Sequence, residues 1–262
     1  MVIYLEYLSS LVVGMARIYP CAILVPAFLF QHIRGMLRHI VVMVMALIPA
    51  PGIHAVLMAE NYSALMITGL IFKEAALGIL LGVLLAMPFW MFESVGALLD
   101  NQRGALAGGQ LNPSLGPDAT PIGHLFKQLV IYLLIAVLGL SVLTQVIWDS
   151  YLIWPATAWV PLPAVNGFST FLGILGDTFT HMMLYAAPFI AVLLFLEFGI
   201  ALLGVYSQQL QVSSLAPPVK SLAGLGILLL YFALFQDLIV ERLGLLDDLK
   251  HSLGLMFKDS TP

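Results

Sequence analysis

Apolar runs long enough to cross a bilayer, interrupted only by single charges and prolines, recur in this chain from Leu11 to Val240. A hydrocarbon core of about 30 Å needs roughly 20 helical residues, and backbone at that depth must be satisfied within the protein. Charged residues make up 9% of the 262 residues, and mean hydropathy is +1.03, whereas an ordinary soluble domain is about a quarter charged. The sequence therefore reads as an all-α integral membrane protein. A net charge of -4 is too small to point to nucleic acid or to a strongly charged surface partner. Cys21 is the only cysteine, which rules out a disulfide within the chain and a cysteine metal cluster. The start, Met1 to Glu6, lacks the basic region of a cleaved signal, so the first apolar segment is expected to stay.

The runs are irregular, and the irregularities are informative. Leu11 to Phe30 contains Arg17, Pro20 and Pro26, which argues for a kinked helix packed on protein. A short basic connection, Gln31 to Arg38, follows. Ile40 to Ile48 stops at Pro49-Ala50-Pro51-Gly52 and resumes at Ile53 to Met58. As a helix, that first piece covers roughly 14 Å, too little to span. Ala64 to Phe92 is long enough but holds Lys73 and Glu74. Adjacent helical residues do not face each other, so each charge is expected to find its partner on another element. Glu74, Gly78, Gly82 and Ala86 recur at i+4 and form a small-residue face suited to close helix packing. Leu129 to Trp148 reads as the cleanest span. Asp149 to Phe168, with Tyr151, Trp154, Trp159 and several prolines but no Lys or Arg, suits a non-cytoplasmic interface. Met182 to Tyr206, a polar turn from Ser207 to Pro218, and Ser221 to Val240 read as a helical hairpin, followed by a mixed-charge tail. With the Arg34 and Arg38 loop inside, Arg103 and Lys220 also fall inside, as basic residues should.

One long polar stretch stands apart. Asp100-Asn101-Gln102-Arg103-Gly104-Ala105 leads into Gly108-Gly109-Gln110-Leu111-Asn112-Pro113-Ser114-Leu115-Gly116-Pro117, whose glycines, asparagine and prolines specify an irregular loop. It is either a solvent-exposed connection or a re-entrant loop lining a watery path. Motifs for chemistry are missing. No phosphate loop or H-E-x-x-H occurs, and Gly167-Phe168-Ser169-Thr170-Phe171 fails the serine nucleophile pattern. Ile174 breaks the Gly-x-Gly-Asp pattern at Asp177, and the six histidines show no ligand spacing. No catalysis, metal or cofactor is expected. The embedded charges Lys73, Glu74, Glu197 and Lys220 are either structural pairs or stations on a proton or ion path. Glu197 lies roughly 14 Å below the hairpin turn, so direct contact with Lys220 would need a bend.

The D-N-Q-R-G string, preceded by Pro88-Phe89-Trp90 and Glu74-Ala75-Ala76-Leu77-Gly78 and followed by Val219-Lys220-Ser221 and Leu229-Leu230-Tyr231-Phe232, resembles the SctT family of type III secretion export-apparatus proteins, whose flagellar counterpart is FliR. That resemblance implies an all-helical export-gate subunit of the bacterial inner membrane, partly raised towards the periplasm. It implies an SctR-like part over 1–175, an SctS-like hairpin over 176–240 and a polar tail over 241–262. The partners it implies are SctR, SctS and SctU, with unfolded proteins in transit and no nucleic acid. It also makes Gly108 to Gly116 a pore plug. In this reading Gly108 and Gly109 let the loop swing, Leu111 and Leu115 close the lumen, and Asn112 and Pro113 hold the turn. Gln110 and Ser114 complete it, and Asp100, Asn101, Gln102 and Arg103 anchor its base. The competing readings are a secondary transporter with broken helices and a passive scaffold.

Overall fold

In the computed structural model, the described residues are 2–28, 35–59, 62–104, 120–158, 167–206, 212–246 and 248–257, and they form helices and turns with no strand among them. In chain order the helices are α1 (Val2–Leu24), α2 (Met36–Ala46), α3 (Ala50–Ala59), α4 (Ala64–Gln102), α5 (Pro121–Leu133), α6 (Ser141–Ile153), α7 (Gly167–Tyr206), α8 (Val212–Gly244) and α9 (Leu249–Phe257). A 3₁₀ turn at Pro26–Phe28 follows α1, and a π-helical turn at Leu134–Leu138 continues α5. Among the described residues, five helices are long and apolar enough to cross a membrane, and α2 with α3 form a sixth candidate bent by 67°. The bend falls at Pro49, where the sequence interrupts its second apolar run. At about 1.5 Å per residue, the 39 residues of α4 and the 40 of α7 are each close to twice the length that a hydrocarbon core of about 30 Å requires.

Three boundaries depart from the sequence reading. Leu129 to Trp148 is not one helix: the path breaks at Gly139, whose φ of 77° lies in the left-handed region that glycine enters without strain and that ends helices. Hydropathy does not register such a stop. The polar turn expected up to Pro218 is shorter, because α8 already starts at Val212 and carries Pro217 and Pro218 in its second turn. Finally, the mixed-charge tail contains α9, with Leu249, Leu253 and Met256 buried.

The chain divides into two compact units. The first comprises residues 1–87, 138–174 and 244–262. Here α1 packs against α2 and α3, and α9 against α6. Val13, Ile53, Leu57, Leu70 and Ala156 form a shared core. Gly78 and Gly82 let α4 approach α1 at backbone distance: a Cβ on Gly78 would run into the Arg17 carbonyl, and one on Gly82 would stand 2.9 Å from the Cα of Cys21. The second unit comprises residues 88–137 and 175–243. Its core is aromatic, with Phe92, Phe126, Phe189 and Phe235 buried and their rings in edge or tilted contact. A crossing of α4 and α5 is equally tight, since a Cβ on Gly96 would stand 2.7 Å from the Cα of Gly123.

Burial is uneven between the long helices. Of the most apolar window, 61% is buried in α4 and 11% in α7. Large apolar side chains such as Phe195, Phe198, Leu229 and Leu230 therefore point outward from α7 and α8, as in a chain whose surroundings are lipid or other apolar protein.

Candidate functional site

Two buried carboxylate–arginine sites organise the described residues. The first lies in the first unit and begins with Arg17 on α1, which is fully buried, as is Glu74 on α4. Arg17 Nε donates to Glu74 Oε2 at 2.7 Å and Nη2 to Glu74 Oε1 at 3.0 Å, the two-pronged geometry that makes guanidinium–carboxylate pairs strong. Arg17 Nη1 donates to Ser150 Oγ at 3.0 Å and Nη2 also to the Trp154 carbonyl at 2.9 Å. The guanidinium sits 4.0 Å from the Tyr151 ring centre, within cation–π range. Burial pushes the Tyr151 hydroxyl well above the ordinary phenol range, and it donates to the Gly14 carbonyl at 2.7 Å. Three helices, α1, α4 and α6, meet at one ion pair.

Lys73 completes this cluster. Its Nζ stands 2.8 Å from Glu74 Oε1 and donates to the carbonyls of Ala156 at 2.7 Å and Ala158 at 2.8 Å. The two neighbouring charges thus do touch, contrary to the expectation from helical geometry, because the four-carbon stem of lysine carries its ammonium round to the carboxylate. The contacts that α1 and the 154–158 connection supply fit the rest of that expectation. A bare charge at this depth would be costly, and removing one partner of such a pair leaves the other uncompensated. Gly78 and Ala86 share the stripe with Glu74, and Ala86 is fully buried.

The second site is at the end of α4. Asp100 is fully buried, and both Arg103 Nε, at 2.9 Å, and Arg103 Nη2 donate to its Oδ1. Its Oδ2 accepts the backbone N–H of Ile122 at 2.7 Å. Ile122 is the second residue of α5, where N–H groups lack helical acceptors, and the preceding Thr120 makes no side-chain cap. Asp100 therefore caps α5 from α4, and a carboxylate at a helix N-terminus is favoured by the backbone dipoles as well. Arg103 Nη1 also reaches Ser221 Oγ on α8 at 3.5 Å. Gly104, with φ 77°, donates its N–H to the Asn101 carbonyl at 3.1 Å and closes the helix end; Asn101 is exposed and Gln102 half-buried. Residues Gly108 to Gly116 lie outside the described residues. One carboxylate thus holds the chain on both sides of that segment.

The remaining embedded charges pair as well. Lys220 Nζ stands 2.8 Å from Glu197 Oε2, so the two long hairpin helices bring together the residues that the sequence placed too far apart. Lys127 pairs with Glu93 at 2.6 Å. Among the described residues, no three of His, Cys, Asp and Glu gather in a way that could hold a metal ion. The sequence reading gives no role to Ser150 or to the Gly96–Gly123 crossing, and it quotes Ser221 only within the Val219-Lys220-Ser221 string. It took Arg17 as a sign of packing without assigning it to Glu74, because a separation of 57 residues follows no helical period.

Long apolar helices tied together by buried, paired charges define a multi-pass helical membrane protein. The chain belongs to the bacterial export proteins, family 1, which it matches over residues 8–245, and this is the SctT family that the D-N-Q-R-G string resembles. It is 30% identical to the Yop proteins translocation protein T of Yersinia pestis, over 82% of each chain. It is 28% identical to the surface presentation of antigens protein SpaR of Salmonella typhimurium, over 86% of this chain and 83% of the relative. The secretion system apparatus protein SsaT of Salmonella typhimurium is 27% identical over 66% of this chain and 65% of its own.

Proposed function

We propose that this chain is a subunit of the type III secretion export gate in the bacterial inner membrane, and that the segment following Arg103 plugs the pore through which unfolded proteins leave. The family membership and the translocation and secretion that the relatives are named for support the apparatus as its setting. The observation that carries the plug reading is the double grip of Asp100, which holds Arg103 on one side of the segment and Ile122 on the other. A loop whose ends are fastened at one buried point can change its middle without unravelling α4 or α5.

In this reading the partners are SctR, SctS and SctU. Residues 1–175 take an SctR-like place and 176–240 an SctS-like one in an assembly partly raised towards the periplasm, and the outward apolar faces of α7 and α8 meet other subunits. Gating is passive, with Leu111 and Leu115 closing the lumen and Gly108 and Gly109 giving the loop its swing. The energy comes from elsewhere in the machine. Deleting Gly108 to Gly116 should make cells leaky to small solutes, and an intact permeability barrier would overturn the plug. Gentle detergent extraction tests the setting separately. Migration in a complex with several other small membrane proteins is expected, and migration near 28.5 kDa plus micelle would remove the export-gate assignment.

A further inference from the structure

The family match ends at residue 245, and α9 lies beyond it. Leu249, Leu253 and Met256 follow one another at i, i+4 and i+7 and are all buried, which is the apolar stripe of a docked helix. The helix rests on α6. Near its start Lys250 Nζ lies 3.0 Å from Asp149 Oδ2. Near its end the Met256 carbonyl comes so close to Gly167 that a Cβ there would stand 2.5 Å from it. Beneath Leu253 is a cavity of about 20 Å³, walled also by Arg17, Ser150, Leu81 and Trp154, enough room for about one water. Arg17 has five N–H donors, and four are engaged by Glu74, Ser150 and Trp154.

We propose that α9 is a lid on the Arg17–Glu74–Lys73 cluster, with Leu253 the side chain that closes the cavity at the guanidinium. With α9 docked, the pair is shielded from bulk water and its attraction is strong; with α9 lifted, bulk water reaches Arg17 and loosens the tie among α1, α4 and α6. The lid is built to be detachable. A helix of nine residues does not hold its shape alone, and the Lys250 end of its bridge to Asp149 is 55% exposed, so that bridge adds little. The apolar stripe, not the bridge, keeps it down.

Thiol labelling of the full-length chain in detergent tests this, with Cys21→Ala removing the native thiol and Leu81→Cys placing one in the cavity wall. Leu253→Ser should speed labelling at position 81 by about tenfold or more, the size of change that local opening brings to a buried group. Leu255→Ser, on the outer side of the same helix, should not. A second reporter, Leu70→Cys, sits in the core that Leu70 shares with Val13, Ile53 and Leu57 and should stay protected in both variants. Unchanged labelling at position 81 in the Leu253→Ser chain overturns the lid. An equal rise at positions 70 and 81 also overturns it, since that is general loosening of the unit.

Discussion

The Arg17–Glu74 site and the Arg103–Asp100 site use the same chemistry for different mechanical ends. Both bury a carboxylate completely and give it a guanidinium. In the first, the ion pair itself is the tertiary link, because its members lie 57 residues apart on α1 and α4. In the second, the members are three residues apart on one helix end, so the pair joins nothing distant. The long-range work falls to the other carboxylate oxygen, which caps α5, and to the longer contact with Ser221. A charge pair between helices fixes a unit, whereas a charge pair within a helix end steadies one hand of a clamp. Stability and gating should therefore depend on the two sites in opposite order.

The largest effect on stability is expected from Arg17→Met. It removes the two-pronged donation to Glu74 and leaves it Lys73 alone; stranding a buried charge outright costs about 3–5 kcal/mol, which is the upper bound here. The temperature at which the detergent-solubilised chain loses its fold should drop sharply. Adding Glu74→Leu should restore part of the loss, since apolar replacement of the Arg17–Glu74 pair is often neutral, while Lys73 loses its carboxylate and keeps only the carbonyls of Ala156 and Ala158. Failure of the double variant to recover would mean that the cluster acts through more than charge balance.

Asp100→Asn should sit lower on the stability scale and higher on the functional one. The amide keeps an acceptor for Ile122 but loses the charge that holds Arg103, a cost of about 1–3 kcal/mol. The fold should survive, while the permeability barrier of cells carrying the variant should weaken. If Asp100→Asn instead destabilises the chain as much as Arg17→Met with no leak, the contrast between core pair and clamp is gone.

How far these sites were readable follows from the kind of signal each leaves. The stripe of Glu74, Gly78, Gly82 and Ala86 has helical spacing, and the structure places Gly78 and Gly82 against α1. The D-N-Q-R string has a local signature, so Asp100 and Arg103 could be named together. Arg17 could be seen but not assigned, because contact between helices follows no period in the sequence. Hydropathy ran through Gly139 since backbone conformation does not enter it, and the charges around α9 masked the period of Leu249, Leu253 and Met256. The pairing of Glu197 with Lys220 escapes a reading that starts the return helix after Pro218; α8 starts at Val212, so both residues lie at about the same depth below the turn.

Ser221→Ala should give the smallest effect, and it probes the weakest joint of the clamp. At 3.5 Å the contact from Arg103 Nη1 to Ser221 Oγ is at the outer limit of a hydrogen bond. Ser221 is itself half-buried, so loss of the hydroxyl strands no fully buried donor. Arg103 keeps both donations to Asp100. The cost should be under about 0.5 kcal/mol, the range of a peripheral substitution, with the thermal midpoint and the permeability barrier unchanged. At Gly224, three residues further along α8, an added Cβ would meet Leu99 at 3.7 Å and Arg103 at 3.8 Å, so the helix already runs close to both and should keep its place without the hydroxyl. A leak produced by Ser221→Ala, at unchanged thermal stability, would show instead that α8 is a working arm of the clamp. The second site would then also be a link between distant helices, and its contrast with the Arg17–Glu74 pair would narrow to one of strength.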